Sequence, residues 1–239
     1  MATLLRLSKM FQWPVVSDFI SLFFPNYCFG CNGGLVKGEE ILCTHCLSEL
    51  PQLDYFDSSD NPIVQRFIGR VPVKHGWALL KFHKAGIVQN LLHQLKYNNR
   101  PEVGERLGKI MGLKIVLHQF ESEFDFLIPV PLHKNKKRAR GYNQSAMVAK
   151  GMAEVMKIMH SDALVERITA THTQTKKNRT ERWENVNDAF HVPNQNLIAG
   201  KRILIVDDVI TTGATIEACA KVLLEAGASE ISIACVAEA

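Results

Sequence analysis

The sequence contains no run of 18 uncharged apolar residues, so no segment is suited to form a bilayer-spanning helix. Neither sign of charge dominates, because 28 basic and 24 acidic side chains leave a formal net charge of only +4. Any affinity for polyanions must therefore come from local clusters of cations. Internal repeats and low-complexity tracts are also missing. The mixed composition, with 46% hydrophobic residues, excludes disorder, a collagen-like repeat and a disulfide-stapled miniprotein.

The apolar residues near the start are expected to form a helix rather than an export signal. The stretch between residues 11 and 24 is interrupted by Pro14 and Asp18, whereas a secretory signal needs an unbroken apolar run and a small-residue cleavage site. We interpret residues 8–24 as an amphipathic or core-docking helix.

Four of the six cysteines form two Cys-x-x-Cys pairs, with eleven residues between the pairs. A hairpin that joins the pairs would supply the four thiolates of a tetrahedral zinc site, with no open position for catalysis. These cysteines are Cys28, Cys31, Cys43 and Cys46. A redox dithiol pair and incidental core cysteines remain alternatives, and His45 could replace one ligand. Because this clustering fits a metal site better than a disulfide framework, a cytoplasmic location is the default.

Composition divides the chain into an N-terminal helix and cysteine module at residues 1–50, a turn-rich linker at 51–70 and a larger domain at 71–239. Strands are predicted at residues 77–82, 126–130, 164–169, 202–206 and 230–236, and helices at 87–95, 142–159 and 215–226. Two of the strands are apolar at consecutive positions, which indicates burial on both faces. The alternation predicts an α/β fold, a parallel sheet with helices on both faces.

The most informative segment is residues 203–215, in which an apolar strand leads into two adjacent acids and then a short loop that opens a helix. The order places the loop at the carboxyl edge of the sheet, where open α/β folds bind ligands. Its backbone N–H groups and hydroxyls can bind a phosphate at the helix N-terminus. The loop residues are Thr211, Thr212, Gly213, Ala214 and Thr215.

The two acids, Asp207 and Asp208, would repel that phosphate. They are therefore expected to face ribose hydroxyls or a magnesium ion. A sugar-diol site next to a phosphate site fits a ribose 5-phosphate. The alternative is a solvated Asp-rich strand end, and a Walker loop is excluded because no Gly-Lys-Ser/Thr follows.

Two cationic clusters, each predicted to lie in a loop, precede this segment in the sequence. The first occupies residues 133–140 and follows another predicted strand end, which should place it on the same edge of the sheet. The second lies in the long polar stretch 170–188, for which a mobile lid is a reasonable interpretation. Either cluster alone could be a solvated face, but together they favour binding of pyrophosphate or another polyphosphate. The second cluster consists of Lys176, Lys177, Arg179 and Arg182.

Residues 203–215 resemble the phosphoribosyl pyrophosphate motif of type I phosphoribosyltransferases. Together with the cysteine pairs and other motifs, the chain resembles the ComF family of bacterial competence proteins from about residue 20 to the end. The other motifs lie at 95–97 (Leu-Lys-Tyr), 129–132 (Pro-Val-Pro-Leu), 140–144 (Arg-Gly-Tyr-Asn-Gln), 173–174 (Thr-Gln) and 185–190 (Asn-Val-Asn-Asp-Ala-Phe). One departure is His172-Thr173, where the family often has Pro-Ser.

The resemblance implies a zinc ribbon joined to a type I phosphoribosyltransferase-like domain, and a role in natural transformation. It implies handling of incoming single-stranded DNA in the cytoplasm or at the inner face of the membrane, with single-stranded DNA and other competence proteins as candidate partners. Phosphoribosyl pyrophosphate with magnesium is the expected ligand. The acids at 207 and 208 are the expected catalytic or ribose-holding residues. Lys134, Lys136 and Arg140 would hold the pyrophosphate, and Arg179 and Arg182 would close over it.

Three functional classes stay open on the sequence. The domain could be an active transferase unrelated to DNA uptake, in which a nitrogen nucleophile displaces pyrophosphate from C1, although neither a general base nor an acceptor pocket is identifiable. It could instead bind nucleic acid through the basic segments, with aromatic help from Tyr142 or Trp183. It could also be a scaffold for a membrane-associated uptake complex.

Overall fold

A computed structural model describes residues 26–56, 60–167 and 189–239. Contacts divide the chain into two compact units, residues 1–50 and residues 51–239. The first unit contains helix α1 (Thr44–Ser48) and an isolated bridge between Tyr27 and Gly34. The expected helix at 8–24 lies outside the described residues. In the part of the chain that the structure describes, no helix has the length and apolarity that crossing a membrane requires.

The second unit is built on a five-stranded sheet in which every neighbouring pair of strands is parallel. The strand order is β1-β7-β6-β2-β3. These strands are β1 (Gly76–Lys81), β2 (Phe126–Pro129), β3 (Met159–His160), β6 (Arg202–Ile210) and β7 (Glu230–Glu238). A separate antiparallel pair consists of β4 (Glu166–Arg167) and β5 (Phe190–His191).

Six helices are described in this unit, besides short 3-10 turns at Glu121–Glu123 and Gln195–Leu197. They are α2 (Pro62–Gln65), α3 (Ile87–Tyr97), α4 (Pro101–Leu117), α5 (Lys134–Arg140), α6 (Gln144–Met156) and α7 (Ala214–Glu225).

Strand β6 shows why the sheet is covered on both faces. Successive residues of a strand point to opposite faces. Ile203 and Ile205 belong to the buried cluster that also contains Ile216 of α7. Leu204 and Val206 point the other way and are equally buried. The predicted α/β class, a parallel sheet packed between helices, is therefore confirmed.

Helices α4 and α6 pack against each other through glycines. A Cβ atom added at Gly108 would lie 2.1 Å from the carbonyl oxygen of Val148, and one added at Gly151 would lie 2.1 Å from that of Glu105. Both positions therefore require glycine for the two backbones to approach this closely. Helix α4 is a finding of the structure, because the sequence analysis assigned no helix there.

Several elements differ from the sequence predictions. Strand β6 continues to Ile210, so the two acids lie within it and not after its end. Of the segment predicted as a strand at 164–169, the described residues 164–167 contribute the short strand β4, which lies outside the parallel sheet. The basic segment is a helix, α5, and not a loop, because the His133 side chain caps its first turn and Gly141 ends it with a φ of 82°.

Residues 51–70, expected to form a linker, contribute packed structure to the second unit. The Asn61 side chain caps α2 by accepting hydrogen bonds from the N–H groups of Ile63 and Val64. Ile63 and Phe67 are fully buried in the core of the unit. The proposed division into domains at residues 50 and 70 stays a prediction.

Candidate functional site

The candidate site lies at the carboxyl ends of β2 and β6, where Asn143 fixes the start of α6. The Asn143 side chain donates to the carbonyl oxygen of Val130 (3.0 Å) and accepts from the N–H of Ser145 (3.2 Å). This cap places Ser145 beside β6, and its hydroxyl donates to Asp207 Oδ1 at 2.9 Å. The same oxygen accepts the N–H of Asp208, also at 2.9 Å.

Burial and the neighbouring charge of Asp208 raise the pKa of Asp207 from 3.8 to about 7. The hydrogen bonds from Ser145 and from the Asp208 N–H, and the charge of Lys96, oppose this change without cancelling it. Asp207 is therefore a carboxyl group that gains or loses a proton near neutral pH. A strongly shifted pKa beside a ligand loop is typical of functional sites.

Asp208 is only 5% exposed, and its Oδ2 lies 3.0 Å from the ammonium nitrogen of Lys96. Lys96 is close to the end of α3, the helix that follows β1. This lysine directly follows the helix predicted at 87–95 and belongs to a family motif, but the sequence analysis assigned no role to it. The structure joins it directly to the acid pair.

Lys96 also lines a cleft of about 370 Å³ that carries three cationic side chains. The guanidinium carbon of Arg140 lies 5.5 Å from the ring centre of Tyr97, and Arg140 also donates to Gln144 Oε1 at 2.7 Å. The lining residues are Lys96, Tyr97, Asn99, Lys136, Ala139 and Arg140. Two of the predicted pyrophosphate ligands, Lys136 and Arg140, thus share this cleft with Lys96.

Lys134 lies at the first position of α5 and is exposed, but it is not among the residues that line the cleft. Arg179 and Arg182, together with the rest of the expected lid and Trp183, lie outside the described residues. Tyr142 is half-buried, and its hydroxyl donates to the carbonyl oxygen of Leu95.

The predicted phosphate loop, residues 211–215, follows β6 and leads into α7. Gly213 precedes the helix with a φ of 79°, and a Cβ atom there would lie 2.8 Å from Phe67 Cζ. The Thr212 hydroxyl accepts a long contact from the N–H of Ala214 at 3.4 Å. Residue 213 must therefore be glycine, both because its backbone is left-handed and because the ring of Phe67 leaves no room for a Cβ atom.

Two arginines that the sequence analysis did not single out contact this loop from outside. Arg66 donates to the carbonyl oxygen of Thr211 at 2.6 Å, and Arg70 donates to that of Thr212 at 2.9 Å. Both arginines belong to the segment expected to be a linker, and nothing local in the sequence distinguishes them from solvated cations.

The four cysteines of the first unit fit a zinc ion. Their sulfur atoms all lie within 4.8 Å of one another, and the Sγ atoms of Cys31 and Cys43 are 3.8 Å apart. Tetrahedral zinc with Zn–S bonds of about 2.3 Å needs sulfurs about 3.8 Å apart. The four thiols are the soft ligands that zinc prefers, so the predicted structural site matches the residues present. The ligands would be Cys28, Cys31, Cys43 and Cys46.

Backbone N–H groups favour the thiolate form of one of these cysteines, Cys28, whereas burial and the neighbouring sulfurs raise the pKa of Cys46. Cys28 Sγ accepts from the N–H groups of Gly30 and Cys43, both at 3.3 Å. Burial raises the pKa of Cys28, but the N–H groups outweigh it, and the pKa falls to about 7. The remaining cysteines, Cys219 and Cys235, are buried in the core of the second unit and do not belong to the cluster.

Residues 143–239 match the family model described as the phosphoribosyl transferase domain. The matched range includes the Asn143 cap, Ser145, the acid pair and the phosphate loop, whereas Lys96 precedes it. The fold that positions the site is thus that of a phosphoribosyl transferase domain.

Competence protein F of Haemophilus influenzae is 26% identical over 221 residues, which cover 88% of this chain and 96% of that protein. The DNA utilization protein YhgH of Escherichia coli K12 is 32% identical over 61% of this chain and 64% of its own length. Competence protein ComFC of Bacillus subtilis is 29% identical over 50% of this chain and 51% of that protein. The present chain is therefore similar to Competence protein F over most of its length and to ComFC over about half, and its residues 143–239 match a phosphoribosyl transferase domain.

Proposed function

We propose that this protein acts in natural transformation, in the cytoplasmic handling of incoming single-stranded DNA, through a domain that binds phosphoribosyl pyrophosphate. The observation that carries the proposal is the acid pair on β6, in which Asp208 is buried and Asp207 partly buried, followed three residues later by a loop that leads into helix α7 at Ala214. Two adjacent carboxylates next to an anion-binding turn suit a ligand that is a diol at one end and a phosphate at the other.

Each group of side chains then has a distinct role. Asp207 and Asp208 would accept hydrogen bonds from the ribose hydroxyls or bind magnesium, whose preferred ligands are carboxylate oxygens. The loop at 211–215 would bind the 5-phosphate. Lys136 and Arg140, which line the cleft beside Lys96, would bind the pyrophosphate. We retain Lys134, Arg179 and Arg182 as further candidates for the pyrophosphate.

Lys96 has a specific task in this scheme. In the ligand-free protein its ammonium pairs with Asp208, and the same group lies at the wall of the cleft. When magnesium or the ribose hydroxyls bind Asp208, Lys96 would be released to the pyrophosphate. The lysine thus keeps the buried acid paired until the ligand replaces it.

A second candidate function is a catalytically active transferase. It is favoured by the raised pKa of Asp207, because a carboxyl group that titrates near pH 7 can accept a proton from a nitrogen nucleophile. In that reaction the bond between C1 and the pyrophosphate oxygen breaks while the nitrogen bonds to C1. The cations of the cleft would stabilise the charge on the leaving pyrophosphate. Bound magnesium would supply further positive charge.

Calorimetric titration with phosphoribosyl pyrophosphate and magnesium tests the binding proposal. We expect the wild-type protein to bind, and the double variant Asp207→Asn/Asp208→Asn to lose binding by at least about a hundredfold. Asp125→Asn is the matched control, because Asp125 lies beside the opposite end of β6 and should leave affinity unchanged. Equal affinity of the wild type and the double variant would contradict the proposal.

The DNA-handling part needs its own test. Helix α5 exposes Lys134, Lys136, Lys137 and Arg138, and a DNA-binding segment would lose affinity steeply as salt is added. Neutralising these four residues should flatten the dependence of single-stranded DNA affinity on salt. An unchanged slope would show that α5 does not contact DNA phosphates.

A further inference from the structure

The phosphate loop is held from outside by two arginines, each of which is fixed on its other side by a carboxylate. Arg66 bridges the carbonyl oxygen of Thr211 and the carboxylate of Glu238, which is only 3% exposed. Glu238 is itself fixed by the hydroxyl of Tyr55, which donates to its Oε2 at 2.8 Å. The bridge therefore runs from the core of the unit to the loop.

Arg70 makes the second bridge one residue further along. It donates to the carbonyl oxygen of Thr212 at 2.9 Å and, through Nε, to Glu217 Oε2 at 2.8 Å. Glu217 lies in the first turn of α7 and also pairs with Lys221 at 2.8 Å. Consecutive carbonyl groups of the loop are thus fixed by consecutive bridges.

Because the peptide bond is planar, these contacts also determine the direction of the N–H groups on the opposite side of the loop. In a trans peptide the C=O of one residue and the N–H of the next point in opposite directions. A carbonyl of Thr211 that points to Arg66 therefore directs the N–H of Thr212 away from that arginine. In the same way the carbonyl of Thr212 directs the N–H of Gly213 away from Arg70.

Neither of these N–H groups, of Thr212 and of Gly213, has an acceptor within the described part of the protein, residues 26–56, 60–167 and 189–239. The ring of Phe67 supports the turn, since it occupies the space that a Cβ atom on Gly213 would need. The segment 66–70 thus fixes both carbonyls and the intervening turn.

We infer that Arg66 and Arg70 are positioning residues, which hold the loop so that the N–H groups of Thr212 and Gly213 face the 5-phosphate. This inference rests on the proposed function, whose ligand supplies that phosphate. Each arginine is paired with a glutamate, Glu238 for Arg66 and Glu217 for Arg70, although Lys81 and Lys221 also pair with these glutamates. We assign the two arginines an effect on the direction of the peptide groups. Their contribution is therefore specific to the phosphate end of the ligand.

Ribose 5-phosphate and inorganic pyrophosphate, each titrated with magnesium, separate the two ends of the site. We expect Arg66→Gln and Arg70→Gln each to weaken ribose 5-phosphate binding about tenfold, the effect of one charged hydrogen bond. Pyrophosphate affinity should stay unchanged, because its proposed ligands lie in the cleft. Arg70→Lys, which keeps a donor, should recover part of the loss.

Arg202→Gln is the matched control. Arg202 also bridges a carboxylate, that of Asp125 (3.0 Å), and a carbonyl, that of Ser122 (2.9 Å), but at the opposite end of β6. It should leave both affinities unchanged. Thermal unfolding of each variant checks that the unit still folds. Substitution of Arg70, whose side chain is 33% exposed, should be tolerated better than substitution of Arg66, whose side chain is 25% exposed.

The amide resonances of Thr212 and Gly213 in nuclear magnetic resonance spectra of the ligand-free protein give a second readout. Both should shift in Arg66→Gln and Arg70→Gln and stay in place in Arg202→Gln. Unmoved resonances of Thr212 and Gly213 would overturn the inference. A loss of pyrophosphate affinity as large as the loss of ribose 5-phosphate affinity would also overturn it. If the wild type binds no ribose 5-phosphate, the proposed function fails, while the resonances still decide whether the arginines orient the loop.

Discussion

Replacing Asp207 by asparagine should stabilise the protein at high pH and lose that effect in acid. The folded-state pKa of Asp207 is raised from 3.8 to about 7, so between these values the folded protein holds a proton that the unfolded chain has released. Stability then falls as the pH rises through this window. Above about pH 7 the folded state carries the full cost of the buried charge, and below about pH 4 the cost is absent.

The magnitude follows from the same pKa values. A difference of one pKa unit corresponds to about 1.4 kcal/mol, so the rise to about 7 destabilises the charged folded state by roughly a few kcal/mol above pH 7. Asparagine removes the charge but keeps an oxygen at Oδ1, which can still accept from Ser145 and from the N–H of Asp208. The variant should therefore keep these hydrogen bonds and gain most of the stability that removal of the charge provides.

Urea unfolding of the wild type and Asp207→Asn between pH 4.5 and 8.5 measures the effect. The difference in unfolding free energy should grow by a few kcal/mol with rising pH and level off above pH 7. Asp125→Asn should have the opposite sign, with an unfolding free energy below that of the wild type near neutral pH. Hydrogen bonds from Arg202 lower the pKa of Asp125, so this variant should lose about 1 kcal/mol or less near pH 7 and nothing in strong acid. A pH-independent effect of Asp207→Asn would refute the reasoning.

Two further predictions concern the metal and the packing. Cys46→Ser should reduce bound zinc from about one ion per chain to nearly none by elemental analysis, whereas Cys235→Ser, outside the cluster, should retain it. Gly151→Ala should lower the unfolding free energy by about 3 kcal/mol, because its Cβ would lie 2.1 Å from a carbonyl oxygen. Gly86→Ala, whose Cβ would meet its nearest neighbour at 3.4 Å, should cost about 1 kcal/mol or less. Equal losses in the two glycine variants would contradict the packing argument.

The sequence predicted those parts of the fold whose signal is local. Strand β6 and helix α3 carry apolar runs or stripes that are readable within a dozen residues, because burial and periodicity coincide there. Helix α4 has three glycines four residues apart, which weaken helix propensity. It forms because those glycines let it approach α6, and this contact is not visible in either segment alone. Helix α5 has no buried residue, so no apolar stripe distinguished it from a basic loop.

The distinction between local signals and contacts of distant segments also applies to the candidate site. The acid pair and the phosphate loop are contiguous in sequence, and their spacing alone indicated a shared ligand. The arginines were missed because Arg66 and Arg70 lie 145 and 142 positions before the carbonyls that they contact. The pairing of Lys96 with Asp208 likewise joins distant helix and strand ends. Such contacts depend on the strand order, in which β1 lies at one edge and β6 in the middle of the sheet.

The acid pair itself conflicts with the requirements of a stable core. Two adjacent carboxylates on a buried strand repel each other, and the surrounding residues compensate only in part, through one lysine, one hydroxyl and one backbone N–H. A proton on Asp207 removes the repulsion, and magnesium or ribose hydroxyls on the same oxygens would also offset it. Protonation and the proposed ligand would therefore compete for one carboxylate. Apolar residues at these two positions would stabilise the fold better. The presence of two carboxylates there is therefore best explained by a ligand that compensates their charge.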